Sequence, residues 1–431
     1  MIQKTILVVI FLFSLYVNAM ASSELSTEQK LGNSLFIDRD LSLNRNQSCS
    51  TCHSLRGVED KPAAFIDASN VSQGTAVSAG SPRNVFGTLN TPSIAYAAFT
   101  PQFGWDASNQ RYAGGLFWNG RANTLADQAS KPFLNPVEMA MPNAWELVSR
   151  LKEKSYYVTM FATLYQLDLK AIPSRKEALP GQADPASVAL VFQKLAEALA
   201  AFERSPMFHK FNSKYDFYVA GKTTLSTLEQ QGLELFNDNN RGGCAACHSS
   251  ELTEDEAGKA VPPLFSNFTY DNVGLPRNYK IPGRPKPNLG LSERADIRQQ
   301  DPNKHEEGKH RVMTLRNIAL TPPYGHNGVF TSLEQITHFF NTRDTLGSVK
   351  NNLSTEFGKS GWPNAEIKTN LNHTNMGNLM LSRNEEKAIV AFLKTLTDDY
   401  PLWGHDPLVP PGTPSPFEDY LPPEPISQSE R

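Results

Sequence analysis

Two stretches of the chain carry the same spacing of apolar and polar positions. In the first, Leu25-Ser26-Thr27 is followed by Gly32 and Leu35-Phe36; in the second, Leu225-Ser226-Thr227 is followed by Gly232 and Leu235-Phe236. Each opens on a capping box, Ser26 with Gln29 and Ser226 with Glu229, so each predicts the start of a short helix. Leu31, Leu35, Leu228 and Leu235 then fall on helical faces able to pack against a large apolar body. Further on, 188–203 (VALVFQKLAEALAAFE) and 385–396 (EEKAIVAFLKTL) both keep the helical period. The second of these starts from Ser382 as cap with Glu385 as its box partner, and the two share an Ala-Phe pair, Ala201-Phe202 and Ala391-Phe392. Gly, Ser, Asn and Pro make 60–113 irregular, and 170–185 and 261–300 read as loops. Past Leu396 the chain turns Pro-rich and reads as extended over the surface. The expectation is a mostly α, duplicated fold with long loops and little β. Its two domains run 22–222 and 223–400, before a tail at 401–431.

Candidate chemistry sits at one place in each half. Cys49-Ser50-Thr51-Cys52-His53 and Cys244-Ala245-Ala246-Cys247-His248 are both C-x-x-C-H, the attachment signature of a c-type haem. Two thiols at this spacing reach the two vinyl groups of one porphyrin, and the adjacent histidine can bind the iron from below. A single C-x-x-C could equally be a zinc half-site or a redox dithiol. The chain has four cysteines, though, and these two motifs use all of them, each with His next in line. Two covalent haems follow, with His53 and His248 as iron ligands.

Length and charge narrow the classes. At 431 residues the chain can bury two proper cores, and a net charge of -3 gives no polybasic surface for nucleic acid. Lys4, an apolar run from Ile6 to Val17 and Ala19-Met20-Ala21 read as an export signal over 1–21, cleaved near Ala21. The alternative is an uncleaved anchor, for which the run is short. Export agrees with covalent haem, and the mature protein is expected in the periplasm.

Five runs, LGNSLFIDRDLS before CSTCH, LNTPSIAY, LFWNGRANTLADQASKPFLNPVEM, RVMTLRNIALTPPYGHNGVF and AIVAFLKTLT, together resemble the bacterial di-haem cytochrome c peroxidase and MauG family. The resemblance covers essentially the whole mature length. It implies two cytochrome c-like domains, a peroxidatic haem in the first and an electron-transfer haem in the second. It also implies Glu138 as the acid/base group over the first haem, with Gln128 and Pro132 lining the same pocket. Trp118 becomes the electron relay between the haems. Asn90 by its side chain, and Thr321 and Pro323 by their carbonyls, would hold a calcium ion. Arg311 and Arg316 match arginines near the second haem, where a guanidinium can pair with a propionate.

Two departures stand out. No histidine lies between His53 and His209, and the loop after the first haem reads SQGTAVSAGSPRNVF. Many family peroxidases have there a histidine that closes the first haem, so this haem is expected to be open, as in MauG. On the helix after HNG, where the family places a Met or Tyr ligand for the second haem, this chain has Phe340. His338 is about 200° away around the helix, and Met376 and Met380 could reach in from a loop. Three functions stay in play. The first is reduction of hydrogen peroxide with electrons from a small c-type cytochrome or copper protein. The second is MauG-like oxidation of Trp or Tyr residues in a partner protein. The third is a non-catalytic di-haem electron carrier. Family peroxidases are often homodimers.

Overall fold

The computed structural model describes residues 24–58, 61–175, 183–255, 257–283 and 285–423. The expected leader, 1–21, and the last eight residues of the tail lie outside them. Eight helices of at least eight residues form the described frame. They are Thr27–Ile37 (α1), Leu125–Leu134 (α2), Ala144–Leu151 (α3), Ser155–Tyr165 (α4), Ala186–Glu203 (α5), Thr227–Asn237 (α6), Leu333–Thr342 (α7) and Arg383–Lys394 (α8). The strands are short and pair only in twos.

All three capping boxes read from the sequence are present, at Ser26/Gln29, Ser226/Glu229 and Ser382/Glu385. They start α1, α6 and α8 by satisfying two otherwise orphaned N–H groups each. In each half the opening helix crosses the closing one, α1 on α5 and α6 on α8. The crossing point explains the repeated glycine. A Cβ on Gly32 would stand 2.0 Å from the Ala198 carbonyl oxygen, and one on Gly232 would stand 2.0 Å from that of Ala388. Phe202 and Phe392 sit at the same crossings, so the Ala-Phe echo marks the same packing contact in both halves.

Around each crossing lies a separate apolar core. The first joins Leu31, Leu35, Phe36, Trp145, Phe161, Leu199 and Phe202; the second joins Leu233, Phe236, Phe265, Phe339, Ile389 and Phe392. Burying side chains of this size contributes ~1.5–3 kcal/mol each. One expected position is not in a core: Leu228 is 47% exposed. It lies in the first turn of α6, a turn ahead of the buried stripe of Gly232, Leu233, Leu235 and Phe236.

The loop-rich segments hold more order than their composition predicts. Within 60–113 stand a short helix, Ala68–Ser72, and a hairpin of Gly104–Asp106 (β1) with Arg111–Ala113 (β2). Within 261–300 stands the helix Ala295–Gln300. The tail is pinned at several points: Val409 and Phe417 are buried, the Ser415 hydroxyl donates to the Phe211 carbonyl at 2.5 Å, and Tyr420 stacks on Phe99, ring centres 5.3 Å apart. Among the described residues, no helix is long and apolar enough to cross a membrane.

The halves meet along polar contacts. The Tyr96 hydroxyl donates to Asp398 at 2.8 Å, and the Asn317 amide donates to the same carboxylate at 2.7 Å. Two backbone bonds, Asn90 N–H to His326 O and Arg311 N–H to Trp118 O, both 2.8 Å, tie loops of one half to loops of the other.

Candidate active site

The two C-x-x-C-H motifs are built alike. Cys49–Cys52 form a single helical turn, Cys244–Ala246 a 3-10 turn, and all four thiols are free. The His53 ring nitrogen Nδ1 lies 3.1 Å from the Phe65 carbonyl oxygen; that of His248 lies 2.7 Å from the Phe265 carbonyl oxygen. A carbonyl can only accept, so Nδ1 carries the proton and Nε2 is left with its lone pair, the form that binds a metal. Burial favours the same neutral state, lowering both histidines and taking His248 to about 4. Beside His248, Cys244 and Cys247 opens a cavity of about 270 Å³ whose walls are otherwise largely apolar, with Phe236, Leu275, Ile336, Phe340, Ile389 and Leu393 among them. Free thiols at vinyl spacing, an oriented imidazole and an apolar slot fit a covalent haem, and the same anchoring recurs at the first motif.

Around the first motif, α2 brings two expected residues to one face: Gln128 and Pro132 are one turn apart. The chain then leaves the helix at Asn135 and folds back. Met139 N–H bonds the Pro132 carbonyl, Glu138 N–H bonds that of Asn135, and the Glu138 carbonyl accepts from Ser81 N–H at 2.7 Å. This fold-back places the Glu138 carboxyl where its charge is felt at both Cys49 and Cys52. Burial raises the Glu138 carboxyl above its usual range, while the Arg121 guanidinium and a hydrogen bond from Asn135 pull it down. Arg121 was not singled out in the sequence, although it stands in the quoted LFWNGRANT run. Its guanidinium lies 3.5 Å from the centre of the Phe117 ring.

Trp118 lines the cavity of the second motif, and its indole N–H donates to the Asn90 carbonyl at 2.8 Å. Asn90, Thr321 and Pro323 line the same cavity. The Asn90 amide nitrogen donates to the Ala76 carbonyl at 3.0 Å. Among the described residues nothing donates to Asn90 Oδ1 or to the Thr321 and Pro323 carbonyls, an all-oxygen set suited to a hard cation.

The two arginines differ. Arg316 is fully buried and bonds Asp216 through both terminal nitrogens and the Pro263 carbonyl through Nε. Arg311 is buried too, but bonds only the Phe117 carbonyl and the Thr100 hydroxyl, with no carboxylate partner among the described residues. Of the two, Arg311 is therefore the guanidinium whose charge is unmatched among the described residues. His338 is a packed residue: its Nδ1 meets Glu386 at 2.8 Å and it does not line the cavity. Phe340 and Met376 do line it, whereas Met380 is 61% exposed. A further pair had no signal in the sequence: His310 and His326 stack face to face at 3.6 Å beside Trp118, both buried and held neutral.

Comparisons with known proteins agree with this geometry. Residues 26–224 match the model of the di-haem cytochrome c peroxidase family. The methylamine utilization protein MauG of Paracoccus denitrificans is 38% identical over 374 residues, covering 85% of this chain and 88% of that one. Cytochrome c551 peroxidase of Nitrosomonas europaea is 27% identical over 384 residues, 89% of this chain and 83% of its own. The crystal structure of the diheme peroxidase BthA from Burkholderia thailandensis superposes with a TM-score of 0.70 at 25% identity, over 93% of this chain and 91% of that one. Paired haem anchors on a duplicated helical frame, and a relative this similar along most of its length, make the chain a member of the di-haem cytochrome c peroxidase and MauG family.

Proposed function

We propose that the protein is a periplasmic peroxidase that reduces hydrogen peroxide to water at the first haem. The electrons come from a small c-type cytochrome or copper protein through the second haem. The observation that carries the reading is the half-buried carboxyl of Glu138, which the fold-back from α2 brings within electrostatic reach of Cys49 and Cys52. Cys49, Cys52 and His53 would hold the first haem, which when bound would supply the iron chemistry for O–O cleavage. The residues supply the rest. Overall, one peroxide, two electrons and two protons give two waters. Glu138 takes a proton from the incoming peroxide and returns it to the leaving oxygen, a role that needs a carboxyl tuned above its ordinary range. Gln128 and Pro132 shape the pocket on the same side. Trp118 bridges the halves, fixed by its N–H bond to Asn90. Asn90, Thr321 and Pro323 would hold calcium beneath it, and Arg311 would pair with a propionate of the second haem.

A second reading has its own support. No histidine stands between His53 and His209 to close the first haem, and the relative reported at 38% identity is a MauG. In that reading the oxidising power is spent on Trp or Tyr residues of a partner protein. One experiment separates the two: peroxide is added to the oxidised protein, the visible spectrum is followed, and reduced cytochrome c is then offered. Rapid oxidation of the cytochrome supports the peroxidase. A long-lived oxidised state that ignores it supports the MauG-like enzyme. No reaction with peroxide overturns both and leaves an electron carrier.

A further inference from the structure

The cavity at Cys244, Cys247 and His248 has a free imidazole nitrogen on one wall, and iron bound there has a second axial position to fill. Six other side chains on the cavity wall carry an imidazole, thioether or phenol: Tyr96, His310, Met313, Tyr324, His326 and Met376. Five are already placed elsewhere, Tyr96 by the hydroxyl it donates to Asp398 at 2.8 Å. The Tyr324 hydroxyl donates to the Ile318 carbonyl at 2.9 Å. His310 sits between the Gly308 carbonyl, 3.0 Å from Nδ1, and the Asn288 side chain, 2.9 Å from Nε2. His326 lies flat on His310, next to Trp118 and the other half of the molecule. Met313 stands between Val312 and Thr314. The Val312 carbonyl accepts from the Ser266 hydroxyl and the Thr314 hydroxyl donates to the Leu264 carbonyl, both at 2.7 Å. This is the segment that presents the Phe265 carbonyl to His248, so Met313 belongs to the wall that already supplies a ligand.

Met376 belongs to another wall. Its loop is sewn to α7 beside Phe340. Gly377 N–H bonds the Phe340 carbonyl at 2.6 Å, Asp344 N–H bonds the Gly377 carbonyl at 2.9 Å, and Leu379 N–H bonds the Asn341 carbonyl at 3.1 Å. Asn372 caps the start of the loop by accepting from the N–H groups of Thr374 and Asn375, both at 3.0 Å. Gly377 has φ +98, and a Cβ there would come within 2.1 Å of the Asp344 carboxylate. Only glycine lets the loop lie this close to α7, and the residue before it is the one that reaches the cavity.

We propose that Met376 is the second axial ligand of the haem carried by Cys244, Cys247 and His248, delivered by the 372–381 loop next to a helix whose own cavity-facing residue, Phe340, has no lone pair to give. The bond is dative: a sulfur lone pair goes to iron, and no proton or electron is lost. A thioether opposite histidine raises the potential of a c-type haem, which suits the member of the pair that receives electrons from a donor. The proposal rests on the second haem and not on the reaction assigned to the first.

The test uses the purified holoprotein and no peroxide. Wild type is expected to show the red charge-transfer band of thioether-ligated ferric haem, and a methionine methyl resonance strongly shifted by the ring current in the reduced state. Met376→Leu should lose both, turn one of the two haems high-spin by EPR and lower its potential, with haem content unchanged. Met380→Leu should keep every signature. Retention of the band in Met376→Leu, or its loss in Met380→Leu, overturns the assignment. Should Met376→Leu not assemble, absence of the shifted methyl in methyl-labelled wild type overturns it as well.

Discussion

Arg316 and Asp216 form a two-pronged ion pair with no solvent exposure on either side chain, at 2.9 and 3.0 Å. The guanidinium, contributed by the second half, also lies 4.5 Å from the centre of the Phe211 ring and 5.0 Å from that of Tyr96, both in the first half. Removing one partner leaves the other charge buried and unpaired, which costs ~3–5 kcal/mol. Asp216→Ala should therefore destabilise the protein by about that much in denaturant midpoint. An Arg311→Leu change should leave the midpoint nearly in place when haem is bound and act on the second haem's spectrum and potential. Equal destabilisation by the two would contradict the division of labour between the arginines.

Glu138 governs a pH dependence whose sign can be worked out. Burial raises its carboxyl and Arg121 lowers it. The base form is the ionised one, so activity should fall as pH drops through this raised value, above the ordinary carboxylate range. Arg121→Gln removes the lowering charge and should move the acidic limb to higher pH. Glu138→Gln should abolish that limb and slow the peroxide reaction by ~10²–10⁴-fold, with haem content unchanged. Stopped-flow rates of the first haem's reaction with peroxide, measured across pH, check all three. An unmoved limb in Arg121→Gln would separate Arg121 from Glu138.

The periodic parts of this molecule were legible. Capping boxes, glycine spacing and the Ala-Phe echo act over one or two turns, and each reappears in the crossings α1 on α5 and α6 on α8. Leu228 failed because a leucine in a first turn can satisfy the helical period and still face water. The β1–β2 hairpin was missed because its stability comes from Trp105 and Tyr112 meeting across the strands at 4.9 Å, a contact that composition does not announce. The His310–His326 stack and the seat of Met376 depend on residues 16 and 36 positions removed from their neighbours His326 and Phe340. Only the folded chain brings them together.

Trp118 should matter more for electron passage than for folding. Trp118→Phe keeps most of the half-buried ring but loses the 2.8 Å bond to the Asn90 carbonyl, a change of about 1 kcal/mol. With the second haem reduced first, electron arrival at the first haem should slow by at least tenfold in this variant. The peroxide reaction of the oxidised first haem should stay close to wild type. Flash reduction followed at the two haems resolves the steps, and an unchanged transfer rate would remove Trp118 from the path.

Glu203 closes α5 at the position where the repeat places Leu393 in α8, and Leu393 lines the second haem's cavity. Its carboxyl is buried, Oε2 has no hydrogen-bond partner among the described residues, and its charge is felt at Cys49. Burial alone pushes it up to about 8. The folded state therefore keeps a proton that the unfolded chain gives up near the ordinary value of 4.5. Between those two values the folded state binds more protons, so stability must fall as pH rises. Glu203→Gln cannot lose that proton. Its denaturant midpoint should match wild type near pH 5 and exceed it by an amount on the order of a few kcal/mol near pH 8. A gap between the two proteins that stays constant from pH 5 to 8 would mean that Glu203 is already ionised in the fold, held by a partner such as the haem itself.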